Sequence, residues 1–116
     1  MDCYEIWCDL RNSHNDIEFS HDVEAYMSHL ISTGLVNSYR LTRRKLGFGP
    51  KEMGEFHITI ETENLAQLEE AFQTVAQRAG ETEKLHARVY SAVTNSTFAL
   101  YRDFPDPVRL RTNEPK

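Results

Sequence analysis

The sequence lacks a long apolar run, a signal-peptide pattern and an excess of basic residues, which are the features of membrane, secreted and nucleic-acid-binding proteins. No stretch of its 116 residues approaches the ~20 consecutive apolar residues that a membrane-spanning helix needs, so we expect no membrane partner. The N-terminal residues are acidic and lack the basic and apolar regions of a signal peptide, which favours a cytoplasmic protein. Lys and Arg number 13 against 18 Asp and Glu, a net charge of −5, and such a chain is a poor default binder of phosphate-rich nucleic acid.

Cysteine is also scarce, with Cys3 and Cys8 the two present. On one extended strand their Cα atoms would lie about 16 Å apart at ~3.3 Å per residue. A disulfide requires a Cα separation of roughly 7 Å or less. The sequence therefore predicts two free thiols, which behave as small buried hydrophobes in a reducing compartment.

Four stretches alternate apolar and polar residues with the period of a half-buried strand. They cover residues 3–10, 36–45, 55–61 and 85–92. Between the first two stretches, and again between the last two, apolar residues recur at spacings of three and four, which predicts two amphipathic helices. The predicted element order is β-α-β-β-α-β.

Local signals mark the predicted ends of both helices. Asn15 followed by Glu18, and Asn64 followed by Gln67, have the spacing of a capping box. A glycine follows each apolar stripe, at positions 34 and 80, where helices commonly end. Two separate helices, each preceded by a strand, follow from these signals.

Right-handed crossovers place both helices on one face of a four-stranded antiparallel sheet. The usual strand order is then 4-1-3-2, a ferredoxin-like plait of the α+β class, which we assign to residues 1–95. Residues 96–116 form a predicted C-terminal extension. Because it includes Phe98, Leu100, Phe104, Val108 and Leu110, it is too apolar for a solvated tail, and we expect it to dock partly on the domain or on a partner subunit.

The alternation leaves one sheet face free of predicted helices, and that face combines aromatic and charged residues. We predict a ligand pocket there, in which arginine orients a carboxylate or carbonyl oxygen and aromatic rings stack on an apolar body. His57 and His86 are the candidates for an acid or base. The predicted ligand-binding residues are Trp7, Arg40, Arg44, His57, His86, Arg88 and Tyr90. No metal site is predicted, since no recognised ligand spacing occurs, and no cofactor is expected.

Over residues 2–94, the element order and the polar and apolar faces resemble the dimeric α+β-barrel group of small, mostly uncharacterised ferredoxin-like proteins. That group includes stress-responsive barrel proteins and antibiotic-biosynthesis monooxygenases. The resemblance implies a homodimer in which two sheets pack open face to open face. Cofactor-free monooxygenases of the group often use a Trp, an Asn and an Arg near the pocket; Trp7, Arg40 and Arg44 are available here, and no catalytic role is carried over to them.

Three functional hypotheses remain open from the sequence. The first is a homodimer that binds a small organic molecule on the open face, and the second is a cofactor-independent monooxygenase or isomerase. The third is a non-catalytic dimer without a ligand, in which Trp7 packs at the interface and the charged residues form ion pairs. An RNA-recognition domain has the same element order, but His57, Thr59 and Glu61 stand where its third strand presents stacking aromatics. We therefore expect no nucleic-acid partner.

Overall fold

The computed structural model describes residues 1–105, which form one antiparallel sheet with helices on one of its faces. The elements are β1 (Asp2–Leu10), a 3-10 turn (Ser13–Asn15), α1 (Asp16–Ser32), β2 (Ser38–Arg43), β3 (Phe56–Thr62), α2 (Leu65–Ala76), α3 (Gly80–Ala92) and β4 (Val93–Arg102). The sheet order is β2-β3-β1-β4, and every pairing is antiparallel. The predicted α+β class and the predicted order 4-1-3-2, which is the same order read from the other edge, are both confirmed.

The fourth predicted strand was placed on the wrong residues. Residues 85–92 are the second half of α3, and the fourth strand is the segment that follows. Leu85 and Val89 are four residues apart, a spacing that puts them on the same side of a strand and also on the same side of a helix. A short apolar pattern of this kind therefore fits both the strand period and the helix period. Residues 96–102, which the sequence assigned to the extension, belong to β4, whereas Val108 and Leu110 lie outside the described residues.

The two predicted capping boxes have different outcomes. At α2 the Asn64 side chain accepts a hydrogen bond from the Gln67 backbone N–H at 2.9 Å, as predicted. At α1 the prediction is wrong, because Asn15 closes a 3-10 turn and its side chain makes no capping bond. Asn12 caps that turn instead, accepting from the His14 backbone N–H at 3.0 Å. The local signal therefore located the start of α1, but the side-chain capping bond is made by Asn12 to the preceding 3-10 turn.

The core lies between the sheet and α1, with α3 packed beside α1. Phe19 meets Phe56 of β3 edge to face, with ring centroids 5.4 Å apart. His29 of α1 contacts the Thr82 hydroxyl of α3 at 2.8 Å, which ties the two helices together. The buried apolar residues that form this core are Cys8, Phe19, Val23, Tyr26, Met27, Leu30, Leu35, Val36, Phe56, Ile58, Ile60, Ala71 and Leu85. The predicted helix-facing sides of β1 and β3 are confirmed by this set.

Residues 1–105 contain neither a helix that could span a membrane nor a candidate metal site. None of the helices there is both long enough and apolar enough to cross a bilayer. The same residues contain no group of three or more His, Cys, Asp or Glu side chains arranged to hold a metal ion. Cys3 and Cys8 are free thiols, so the prediction that they are not joined is confirmed.

Candidate functional site

The seven residues predicted to line one pocket lie in separate parts of the molecule. Trp7, Arg40 and His57 are on strands, with side chains on the open face of the sheet. Arg44 lies just beyond β2, at the start of the loop of residues 44–55. His86, Arg88 and Tyr90 are on α3, on the opposite side of the sheet, because residues 85–92 are helical. The single open-face pocket that these seven residues were to line is therefore not formed within one chain.

The centre of the open face is a compact cluster around a buried carboxylate. Trp7 lies opposite His57 in the pairing of β1 with β3, and their rings stack with centroids 4.4 Å apart. His57 Nε2 lies 2.5 Å from Glu5 Oε1, and the Thr59 hydroxyl donates to the same oxygen at 2.8 Å. Glu5 is buried, so these two partners offset the cost of removing its carboxylate from water. In this cluster Glu5 engages Nε2 of His57, one of the two side chains that the sequence offered as acid or base.

The two predicted arginines of this face have different surroundings. The Arg44 guanidinium donates to the carbonyl oxygens of Pro50 and Met53, each at 2.8 Å, and so it closes the 44–55 loop. Arg40 is an exposed residue of the edge strand β2, opposite Thr59. Arg44 therefore acts on its own loop, whereas Arg40 is exposed to solvent within the described residues.

Asp9 joins three parts of the chain at one end of the open face. Its carboxylate accepts hydrogen bonds from the Asn95 side-chain amide at 3.0 Å and from the Glu55 backbone N–H at 2.9 Å. These two bonds, in that order, hold the pKa of Asp9 below its usual value, and the nearby Arg44 charge acts in the same direction. Asn95 lies where the pairing of β1 with β4 shifts register, so Asp9 also anchors that bulge.

A large cavity lies on the other side of the sheet, between the strands and the three helices. Its volume is about 540 Å³. Its wall is mainly apolar, with Ile6, Ile58, Ile60, Met27, Leu30, Leu68, Phe72, Val75, Val89 and Phe98 among the lining side chains. Phe72 of α2, Tyr90 of α3 and Phe98 of β4 line it and are at least 45% exposed. The mouth of the cavity therefore lies between α2, α3 and the edge strand β4.

Polar side chains line this cavity in two regions, one around His86 and one formed by Arg11, Thr94, Asn95 and Ser96, where β1 ends and β4 begins. The His86 ring lies between Tyr26 and Tyr90, with centroids 5.7 Å and 5.6 Å away. Its Nδ1 is 3.5 Å from a carboxylate oxygen of Glu83. Burial raises the pKa of Tyr26 to about 12, and the charges of Glu83 and Tyr4 add to that rise. The arrangement offers phenol donors and one imidazole to a molecule held against the apolar wall.

Two of the predicted residues thus belong to the cavity, and its other lining residues were not predicted as site residues. His86 and Tyr90 line it, while Arg88 lies on the outer side of α3, in a groove shared with Glu18 and Asp22 of α1. Tyr26 and Tyr4 were missed because their spacing marks them as core positions. The sequence signal that could have found them is a tyrosine at a core position, since a buried tyrosine hydroxyl needs a polar partner.

The chain belongs to a family whose members share this sequence pattern and whose activity is not established. A family model described as "Family of unknown function (DUF6614)" matches residues 1–114. No curated protein matches the chain in sequence.

Several solved structures share the fold at very low sequence identity. The Arabidopsis thaliana protein At3g17210 superposes with a TM-score of 0.70 at 6% identity, over 91% of this chain and 98% of its own. A dimeric ferredoxin-like protein of unknown function from Jannaschia sp. CCS1 gives 0.64 at 6% identity, over 88% and 98%. A protein described as an antibiotic biosynthesis monooxygenase gives 0.59 at 15% identity, over 90% and 100%. At these identities the likeness establishes the ferredoxin-like fold, and the predicted resemblance to the dimeric group is confirmed at that level.

Proposed function

We propose that this member of the DUF6614 family binds a small, largely apolar organic molecule in the cavity between the sheet and the helices. The observation that carries the proposal is the cavity itself, about 540 Å³ in volume with an apolar wall and a few polar groups. Small-molecule sites are typically concave and apolar, about 300–1,000 Å³ in volume, with few oriented polar groups. A void of this size in a small domain costs packing energy, and an occupant would recover it. The proposed pocket is therefore on the helix side of the sheet, and not on the open face where the sequence predicted it.

Binding is tested by isothermal titration calorimetry, in which naphthalene derivatives are added to the full chain. We expect saturable binding of one molecule per chain. Ala71→Phe places a ring in the cavity from α2 and should weaken binding at least about tenfold, because the probe loses its space. Ala66→Phe, on an exposed position of the same helix, is the matched control and should leave the affinity unchanged.

The emission of Trp7 separates this site from the one predicted on the open face. Trp7 stacks on His57 on the side of the sheet away from the cavity, so a probe in the cavity should change its emission little. Binding that shifts Trp7 emission strongly and ignores Ala71→Phe would place the ligand on the open face. The absence of binding by every probe would contradict the proposal and favour a protein without a small-molecule ligand.

We also propose that the open face joins two copies of the chain in a homodimer. In support, no helix of residues 1–105 covers that face, it presents Trp7 beside the buried Glu5 cluster, and structural neighbours are described as dimeric. Light scattering should give twice the 13.5 kDa mass of one chain. Ala99→Lys, on the open face opposite Glu5, should shift the mass towards the monomer by adding a charge to the interface. Gln73→Lys on the exposed side of α2 is the control, and a monomeric wild-type chain at micromolar concentration would refute the dimer.

A second candidate function is catalysis on the bound molecule, as an isomerase or a cofactor-independent monooxygenase. His86 favours the isomerase version, since an imidazole at the cavity wall can take and return a proton, and its Nδ1 contact with Glu83 favours one tautomer. The monooxygenase version is supported by one structural neighbour of that description. NMR can follow the exchange of the hydrogens next to the carbonyl of a ketone with deuterium from the solvent. Exchange that the protein accelerates indicates proton transfer, whereas an unchanged rate indicates binding alone.

The proposals on location and other partners follow from the thiols and the charges. Free Cys3 and Cys8 support a reducing, cytoplasmic location. Glu5 and Glu61 place carboxylates on the sheet face with which an RNA-recognition domain binds its ligand. We therefore propose neither a nucleic-acid nor a membrane partner.

A further inference from the structure

The cavity wall carries positive charge and no carboxylate. Arg11 is the one lysine or arginine among the described residues that line the cavity, and none of those residues is an aspartate or a glutamate. The whole chain has 18 acidic residues against 13 basic ones, so the wall departs from the composition around it. His86, which also lines the cavity, adds a second positive charge when it is protonated. The lining therefore favours an anionic ligand group over a cationic one.

The backbone of Arg11 is held in place where α3 ends and β4 begins. Arg11 directly follows β1, and its backbone N–H donates to the carbonyl oxygen of Ala92, the last residue of α3, at 2.9 Å. The neighbouring residue, Leu10, pairs with Val93, the first residue of β4. These contacts fix the point from which the Arg11 side chain reaches the cavity.

The guanidinium of Arg11 has no ion pair and no hydrogen bond within residues 1–105. Asp9, the acid nearest to it in the sequence, accepts from the Asn95 side chain instead. The hydroxyls of Thr94 and Ser96, which line the same end of the cavity, also make no hydrogen bond in that part of the chain. This end of the cavity thus presents several donors for which the described residues supply no acceptor.

The exposure of these donors indicates how a ligand would be oriented. Arg11, Thr94 and Ser96 are exposed, whereas the wall beyond them includes the buried residues Ile58 and Ile60. Removing an ion from water is costly, and a charged group that stays at this exposed end keeps part of its hydration. The planar guanidinium presents paired N–H donors that match the two oxygens of a carboxylate. A molecule with a carboxylate at one end and an apolar body fits both parts of the cavity.

We propose that the ligand of the cavity is a carboxylic acid with an apolar body, and that Arg11 binds its carboxylate. This inference rests on the proposed function and names the ligand class of the same site. One arginine balances the single negative charge of a carboxylate, whereas a phosphate monoester carries a charge of about −2. The Glu83 carboxylate approaches His86 at 3.5 Å, in the other polar region, so the charge of the acid is placed at the Arg11 end.

Two probes of nearly equal size, 2-naphthoate and 2-acetonaphthone, test the inference by calorimetry on the full chain. We expect the acid to bind more tightly than the ketone. Arg11→Gln should weaken the binding of 2-naphthoate about tenfold, the lower end of the range for a hydrogen bond to a charged group, and leave the affinity for the ketone unchanged. Arg11→Lys keeps the charge without the paired donors and should give an intermediate affinity for the acid. Arg78→Gln, on an exposed arginine outside the cavity lining, is the matched control and should change neither affinity.

Salt gives a second measurement that needs no variant. Raising the concentration of NaCl should weaken the binding of 2-naphthoate to the wild-type chain and leave the ketone unaffected, because screening acts on the ion pair. Arg11→Gln should fold normally, since it retains the backbone N–H that bonds to Ala92 and removes a side chain without a partner in residues 1–105.

The outcomes separate this inference from the proposed function. If the ketone binds as tightly as the acid, or if Arg11→Gln leaves the affinity for 2-naphthoate unchanged, the assignment of a carboxylic acid is wrong although the cavity still binds. An equal loss of both probes in Arg11→Gln would also contradict it, because the charge of the ligand would then not matter. If neither probe binds the wild-type chain, the proposed function fails, and this inference fails with it.

Discussion

Replacing Gly54 by alanine is expected to lower the free energy of unfolding by at least about 3 kcal/mol, because the new methyl group has no space. A Cβ atom at Gly54 would lie 2.3 Å from the carbonyl carbon of Cys8 and 2.5 Å from its oxygen. These are backbone atoms of the central strand β1, so neither side can relax by turning a side chain. The 44–55 loop must then move away from the sheet.

Urea unfolding followed by circular dichroism measures this change. Gly47→Ala is the matched control in the same loop. Nothing lies within 4 Å of the Cβ position of Gly47, so the loss of stability in this variant comes from its φ of +72° alone and is expected to be smaller. We expect about 1 kcal/mol for that control, the usual penalty for a side chain in the left-handed region. Equal stabilities of the two variants would show that the contact between Gly54 and Cys8 does not constrain the loop.

The close approach at Gly54 also matters for the open face. The next residue, Glu55, donates its backbone N–H to Asp9, and the Arg44 guanidinium donates to the carbonyl oxygens of Pro50 and Met53. A loop displaced by Gly54→Ala would lose the bond to Asp9 first. The pKa of Asp9 should then move back towards its ordinary value, which NMR titration measures.

Phe19→Ala should destabilise the protein by about 3–5 kcal/mol, since it removes a fully buried ring and leaves a hole. Phe19 is 1% exposed and meets Phe56 edge to face at 5.4 Å, so it joins α1 to β3. Ile17, two residues earlier, is 67% exposed and is the matched control. Ile17→Ala should change the free energy of unfolding by less than about 0.5 kcal/mol. Thermal and urea unfolding of both variants measure the difference.

The same variant separates stability from binding. Phe19 does not line the cavity, whereas Val23, Tyr26, Met27 and Leu30 of the same helix do. Phe19→Ala should therefore leave the affinity for the naphthalene probes nearly unchanged, measured at a temperature where the variant is folded. A large loss of affinity would show that the cavity depends on the close packing of the first turn of α1.

The sequence predicted the fold more completely than the candidate site. The strands β1 and β3 have regular alternation, and the Asn64 cap is a contact between neighbours, so local patterns were sufficient for both. The residues from Leu85 to Ala92 fit two periods, and there the pattern led to a strand where the chain forms a helix. That one error moved His86, Arg88 and Tyr90 to the wrong side of the sheet.

By itself, the sequence determined the strand order, the helix-covered face of the sheet and the free state of both thiols, because alternation and chain connectivity express all three. The tertiary structure alone decided that α3 replaces the predicted last strand, that a cavity opens between α2, α3 and β4, and that Tyr4 and Tyr26 line it. The physical reason is that a cavity is space left between elements that are distant in the chain, and residue spacing records which face is buried but not how closely that face is filled.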